Sequence, residues 1–319
     1  MTIHRLRLEA RTALTDRIAE FTLAPAGGGA LPAWQPGAHL RVSLPGGGDR
    51  AYSLVTFGPV PEAPQHYTIA VQREDDGQGG SRFMHGLTEG DEVEATTPKC
   101  DFPVEAGKPA LLLAGGIGIT PMVSMAHALK AAGTPFALHY AGRAREQMAY
   151  RDALAESLGD ALHCHFDEEA GGLLDLAGLI GGMGGEQHLY VCGPRPMIDA
   201  ALAQAEACGI PRDSVHVELF DNASAGAEEG DDSFEVEVAS TGEVVTVPPG
   251  KSIIEALEEA GHDLIYDCQR GDCGICQTDV LEGVPDHRDV VLSEAERAEG
   301  KVMQICVSRA KTPRLKLDL

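Results

Sequence analysis

The chain has 319 residues, with 25 Lys+Arg against 49 Asp+Glu and a formal net charge of −24. That balance excludes nucleic acid and anionic membrane as natural partners, and it favours solubility. A hydrophobic content of 43% and eight cysteines fit a soluble protein of two or three domains, not a disulfide scaffold.

No run approaches the ~18 consecutive apolar residues of a membrane span. The N-terminal stretch Met1–Glu9 is interrupted by charge and lacks a signal-peptide apolar centre, so the expected address is cytoplasmic. Residues 1–105 read as strands punctuated by Gly and Pro. Alternation in His39–Leu44 and Tyr67–Gln72 predicts antiparallel strands with one wet face, and Pro45–Asp49 supplies turn material. The block is expected to form a small antiparallel β-barrel. Arg50-Ala51-Tyr52-Ser53 sets a cation, a ring and a hydroxyl at a strand end. Such a group can cover a planar cofactor and pair with its phosphate. Gly77-Gln78-Gly79-Gly80-Ser81 then offers backbone donors before a short helix, with Ser81 as the expected N-cap.

Residues 106–222 change character. The continuous apolar run Ala110–Ala114 predicts a parallel strand buried on both faces. It ends in Gly115-Gly116-Ile117-Gly118-Ile119-Thr120-Pro121. Thr120 is the expected N-cap, Pro121 the first helical residue, and Gly133 the stop. Strand–helix units follow at Phe136–Tyr140 with 146–158, His163–Phe166 with 173–180, and Leu189–Cys192 with 196–207. The rhythm predicts a doubly wound parallel α/β sheet. Glycine turns beyond Ala114 and at Cys192-Gly193-Pro194 lie at the carboxyl ends of these strands, where such sheets bind nucleotides. The first is not the fingerprint G-x-G-x-x-G, because Pro121 stands at the third-glycine place. His163 and His165 share a strand face, but no third ligand is near in sequence, so a structural role is expected.

Residues 223–232, with four acids and no large apolar side chain, are expected to be a linker. Within 233–319, Phe234–Val238 and Val244–Val247 predict a hairpin, and Ser252-Ile253-Ile254-Glu255 is a capping box starting a helix that ends near Gly261. Next comes Cys268-Gln269-Arg270-Gly271-Asp272-Cys273-Gly274-Ile275-Cys276, which is C-x4-C-x2-C, with Cys306 downstream. That spacing is the plant-type ferredoxin arrangement for a 2Fe–2S cluster. Zinc sites favour separated C-x2-C pairs or Cys/His mixtures, and neither occurs. Cys100, Cys164, Cys192 and Cys208 remain as free thiols.

These motifs, in this order, make the chain resemble the phthalate dioxygenase reductase-type family, a branch of the ferredoxin–NADP reductase superfamily. Vanillate O-demethylase and carnitine monooxygenase reductases are of the same type. The resemblance covers essentially the whole chain. It implies a flavin-binding β-barrel, a nicotinamide-binding α/β domain and a C-terminal β-grasp ferredoxin domain. By that resemblance Arg50, Ala51, Tyr52 and Ser53 hold the flavin, and Gly79, Gly80 and Ser81 its phosphate. Gly116, Thr120, Pro121, Cys192, Gly193 and Pro194 line the nicotinamide site, and Phe220 stacks on the flavin. Ala51 departs from the Thr that relatives often carry.

The expected activity is NADH-dependent reduction of FMN, then of the 2Fe–2S cluster held by Cys268, Cys273, Cys276 and Cys306, and finally of a Rieske-type oxygenase component. The working form is expected to be a monomer. Asp167 opposes the 2′-phosphate of NADPH, whereas Arg143 attracts it. An FAD-dependent reductase serving a haem-thiolate or di-iron monooxygenase is the alternative, as is a non-enzymatic electron carrier. The segment 233–319 carries 17 Asp/Glu against 9 Lys/Arg, so a negative face including Asp267 and Asp272 is expected around the cluster loop, to steer a basic partner.

Overall fold

The computed structural model describes residues 2–77, 79–220 and 231–319. In β1 (Ile3–Ala13), Leu6 and Leu8 turn inward between the exposed Arg5, Arg7 and Glu9. This is the alternation of a sheet wet on one face. With β2 (Ile18–Pro25), β3 (His39–Ser43), β4 (Asp49–Ser53), β5 (Tyr67–Gln72), α1 (Gly80–Gly86) and β6 (Glu92–Thr96), it builds an antiparallel sheet in the order β4-β3-β6-β1-β2-β5. An antiparallel bridge between Leu54 and Ile69 joins the β4 edge to β5 and curls the sheet on itself. Phe21, Leu23, Leu40, Val42, Tyr67 and Met84 fill the interior. The helix α1 differs from expectation. Gly79, in the left-handed region at φ 93°, is its N-cap, so Ser81 lies inside the first turn.

The second sheet begins at β7 (Ala110–Gly115), buried at every position. A 3-10 turn at Gly116–Gly118 leads into α2 (Ile119–Ala132), which Gly133 closes with a φ of 68°. Thr120 is therefore the second helical residue, not the cap, and its hydroxyl donates to the Ile117 carbonyl at 3.0 Å. The chain continues through β8 (Phe136–Gly142), α3 (Arg151–Leu158), β9 (Leu162–Phe166), α4 (Asp167–Ala170), α5 (Leu176–Gly181), β10 (His188–Cys192), α6 (Arg195–Ala207) and β11 (Val215–Glu218). The order is β11-β10-β7-β8-β9, parallel throughout. This is the doubly wound sheet the strand–helix rhythm predicts. The third helix starts later than expected, because Tyr150 takes a left-handed φ of 61° and separates it from a turn at Arg145–Gln147.

Barrel and parallel sheet fall in one unit, Met1–Glu218. Ile18, Val55 and Ala70 of the barrel pack in the same apolar cluster as Leu112, Met122 and Tyr140. The Ser124 hydroxyl on α2 donates to the Leu54 carbonyl at 2.8 Å and accepts the Thr56 N–H at 3.0 Å. The Tyr150 hydroxyl donates to Glu20 at 2.7 Å.

Leu219–Leu319 form the other unit. It contains β12 (Phe234–Val238), β13 (Val244–Val247), α7 (Ile253–Glu259), β14 (Gln277–Glu282), β15 (Pro285–Asp286), α8 (Glu294–Glu299), β16 (Val302–Gln304), β17 (Arg309–Ala310) and β18 (Arg314–Leu317). The main sheet runs β13-β12-β18-β14-β16, with β18 parallel to β12 and the other pairs antiparallel. The first helix carries both halves of the Ser252/Glu255 capping box and buries Ile253, Ile254 and Leu257 against the sheet's apolar side. A mixed sheet crossed by one helix is the β-grasp arrangement expected.

The linker expected at 223–232 lies, up to residue 230, outside the described residues. Asp231 does not behave as linker material. Its carboxylate is buried and accepts from Arg288 at 2.6 and 3.0 Å and from Arg309 at 3.3 Å. Arg309 also lies over the Phe234 ring, 5.0 Å from its centroid.

Candidate functional site

Two motifs far apart in sequence meet at one end of the barrel. A Cβ on Gly80 would lie 2.5 Å from Arg50 Cγ and 3.4 Å from the Tyr52 hydroxyl. The strand end Arg50–Ser53 and the Gly79–Gly80 turn are thus packed against each other. Arg50 donates to the Asp49 carbonyl at 2.6 Å. Burial pushes the Tyr52 hydroxyl up to about 12, with Arg50 opposing, so it stays protonated and able to donate. The Ser53 hydroxyl is buried and has no hydrogen-bond partner among the described residues. A buried hydroxyl without a partner is costly, and a bound polar ring system would satisfy it. Ser81 is different: its hydroxyl accepts the Glu74 N–H at 3.0 Å, so it closes the loop onto itself. Ala51 is half-buried beside them.

The two glycine turns of the parallel sheet also converge. A Cβ on Gly118 would sit 2.1 Å from the Cys192 carbonyl oxygen and 2.8 Å from Gly193 N, so only glycine permits this approach. Gly115 in turn faces Pro194 and Gly193. The Gly115–Gly118 turn and Cys192, Gly193 and Pro194 therefore pack together at the carboxyl ends of β7 and β10. Parallel register pairs Gly142 with Phe166, which brings Arg143 and Asp167 side by side; the Glu168 N–H donates to the Arg143 carbonyl at 3.1 Å. Arg143 is exposed. Asp167 lies 3.4 Å from His165. The neighbouring Arg145, absent from the sequence expectations, pairs with Glu169 at 2.7 Å and covers the Phe166 ring. His163 stacks on His139, with ring centroids 4.6 Å apart.

In the second unit, the Cys268 thiol is close enough to Cys273 and Cys306, and Cys306 to Cys276, for each to shift the others' ionisation. Those contacts hold Cys268 below the ordinary thiol range and Cys273 and Cys306 above it. Among the described residues no three His, Cys, Asp or Glu side chains converge as for a single ion. The sulfurs form a connected set of four instead, as two irons each held by two thiolates require. Gly271, at φ 80°, lets the loop press on Asp289 and Val307; a Cβ there would be 2.6 Å from Val307 Cγ2. The Arg270 N–H points at Cys268 Sγ at 3.3 Å.

Residues that spacing alone does not reveal surround this loop. Gln304, fully buried, contacts Cys276 Sγ at 3.5 Å and Gln277 at 3.1 Å. Asp289, also fully buried, accepts the Val291 and Leu292 N–H groups. Asp272 corrects the expectation of an acidic face. Its side chain is 6% exposed, pairs with Arg270 at 3.5 Å and accepts the Leu219 N–H at 3.1 Å, so it cannot meet a partner. Burial pushes its carboxyl up to about 7. Phe220, by contrast, is 39% exposed.

Comparison with known proteins agrees with this geometry. Residues 236–311 match the 2Fe-2S iron-sulfur cluster binding domain, and residues 112–169 the oxidoreductase NAD-binding domain. Phenoxybenzoate dioxygenase subunit beta of Ectopseudomonas oleovorans is 41% identical, over 98% of this chain and 97% of its own. The solved phthalate dioxygenase reductase, described as a modular structure for electron transfer from pyridine nucleotides to [2Fe-2S], superimposes with a TM-score of 0.71 at 34% identity, covering 99% of this chain and 98% of that one. Full-length CYP116B46 from Tepidiphilus thermophilus gives a TM-score of 0.76 at 35% identity; 99% of this chain is covered, but the match spans only 42% of that protein. The chain belongs to the phthalate dioxygenase reductase-type family. It is an oxidoreductase with an NAD-binding domain and a 2Fe–2S cluster-binding domain.

Proposed function

We propose that this protein is the reductase component of a Rieske-type oxygenase system, acting as a cytoplasmic monomer. The observation that carries the reading is the connected set of four cysteine sulfurs, in a chain whose other unit gathers two glycine turns at the ends of parallel strands. When bound, the flavin accepts hydride as an electron pair and the cluster carries single electrons. Arg50 and the Gly79–Gly80 backbone would hold the FMN phosphate, with Tyr52 covering the ring and the unpartnered Ser53 hydroxyl meeting its polar edge. Ser81 would act through the loop it closes. Thr120, Pro121 and the Gly116 turn would orient NADH opposite Cys192, Gly193 and Pro194, and Asp167 would disfavour a 2′-phosphate beside Arg143. Cys268, Cys273, Cys276 and Cys306 would ligate the cluster, and Phe220 would cover the flavin.

The dioxygenase names of two relatives support a Rieske-type partner. A haem-thiolate partner is the second reading, supported by the similarity to part of CYP116B46. Pairing the purified reductase with candidate oxygenases under NADH separates them. Turnover with a Rieske-type component and none with a haem-thiolate one is the expected result; the reverse contradicts it.

A further inference from the structure

One cysteine sulfur of the ferredoxin unit has a buried side-chain amide against it. Gln304, on β16, is 0% exposed and stands in sequence between Met303 and Ile305, both buried. Strand register sets it opposite Gln277 of β14, the residue after Cys276. Its backbone carbonyl accepts the Val307 and Ser308 N–H groups at 3.3 and 3.0 Å, in the turn that carries Cys306. One end of the side chain meets protein: Nε2 donates to Gln277 Oε1 at 3.1 Å. The other meets sulfur: Oε1 accepts from Cys276 Sγ at 3.5 Å. An interior amide is costly unless both its ends are hydrogen-bonded, and an apolar side chain would fill this place at lower cost.

The observed pairing suits a thiol, which has a proton to give. A cysteine that ligates iron is a thiolate and can only accept. Amide oxygen against thiolate would set two acceptors face to face in the interior. A half-turn about the last side-chain bond exchanges oxygen and nitrogen. Nε2 then donates to Cys276 Sγ, and Oε1 accepts from Gln277, an exposed residue free to turn with it. We propose that Gln304 is a positioning residue that sets the redox potential of the 2Fe–2S cluster by donating its side-chain N–H to the Cys276 thiolate. The inference rests on the reading of Cys268, Cys273, Cys276 and Cys306 as the cluster's ligands. Reduction adds one electron, and a donor at a ligand sulfur favours that added charge; hydrogen bonds to the sulfurs are among the features that set such potentials. The Arg270 N–H at Cys268 Sγ is a backbone donor, whereas Gln304 can be changed by substitution.

The full-length protein, with flavin and cluster in place, is titrated anaerobically with dithionite and mediator dyes. The midpoint potential is read from the cluster's electron paramagnetic resonance signal. Gln304→Met keeps the length of the side chain and removes the N–H. It is expected to retain its iron and to lower the ratio of reduced to oxidised cluster, at the wild-type midpoint, by about threefold or more, a shift of about −28 mV for one electron. Gln277→Met leaves the Gln304 donor in place and is expected to change that ratio by less than about 1.5-fold. An unchanged or raised potential in Gln304→Met overturns the inference. So does an equal shift in Gln277→Met, which would assign the effect to the strand pair. If Gln304→Met loses its iron, Gln304→Asn keeps an amide but withdraws it from Sγ by one methylene. The same downward shift then supports the inference, an unchanged potential overturns it, and loss of iron there too makes the role structural and overturns it. Failure of the underlying reading looks different, because the wild-type protein would then hold no iron.

Discussion

A methyl group at residue 118 has nowhere to go. It would meet the Cys192 carbonyl at 2.1 Å, and backbone cannot step aside as a flexible side chain can. Gly118→Ala should cost about 3 kcal/mol or more by overpacking. It should also lower NADH-dependent ferricyanide reduction more than tenfold, measurable alongside the melting temperature; a variant with wild-type kinetics would mean the two turns do not form one nucleotide site. Cys273→Ser tests the other unit. Loss of iron with ferricyanide reduction retained is expected, because hydride reaches the flavin without the ferredoxin unit. At this scale much was legible in the sequence, above all the four-cysteine spacing, which falls within the segment matching the 2Fe-2S cluster binding domain. The exceptions were the two hydroxyls expected as helix caps. Residue type suggests Ser81 and Thr120, but the tight glycine turns start each helix earlier, at Gly79 and Gly118, and both hydroxyls bind local backbone instead. Nor can a sequence separate buried acids from surface acids. Asp231, Asp272 and Asp289 resemble any other carboxylates until tertiary contacts enclose them.

Among the elements, the short approach to β12 is held by charge. Removing one partner from a buried ion pair leaves the others uncompensated, typically at about 3–5 kcal/mol. Asp231→Ala should therefore destabilise the second unit by an amount in that range, read by urea unfolding at the cluster's absorbance. A change below about 1 kcal/mol would show the network to be solvent-screened. On the parallel sheet, β10 and β11 place His188 against His216 at 2.8 Å, stacked with Tyr190. Burial first, then His188, lowers His216 from 6.5 to about 4. The folded state thus prefers the neutral ring, while the unfolded chain takes up a proton near 6.5. Stability from this pair is complete above that pH and declines as pH falls toward about 4. Melting temperatures between pH 7.5 and 5 should fall, and His216→Asn should flatten the slope; an unchanged slope would place the acid sensitivity elsewhere. Strands with strong alternation or full burial, such as β5 and β7, were readable in advance. The first two strands of the barrel and the later strands of the ferredoxin unit were not, because their short mixed patterns acquire meaning only through pairing.

For the whole molecule, the net charge of −24 remains the strongest clue to partner choice. With Asp231, Asp272 and Asp289 withdrawn into the interior, steering falls to exposed acids such as Asp263 and Glu259. Coupled turnover with an oxygenase should still decline from low to high ionic strength as screening shortens the reach of those charges. Ferricyanide reduction, which needs no protein docking, should follow a different salt curve. Coupled turnover indifferent to salt would assign docking to apolar contacts, with Ile265 and Ile275 exposed on the second unit. The most direct test of the account is an anaerobic titration of the purified protein with NADH, following flavin absorbance and cluster electron paramagnetic resonance together. The prediction is one flavin and two irons per chain, with NADH bleaching the flavin and producing a reduced-cluster signal. Flavin that bleaches while the cluster signal never appears, or protein without iron, would contradict it.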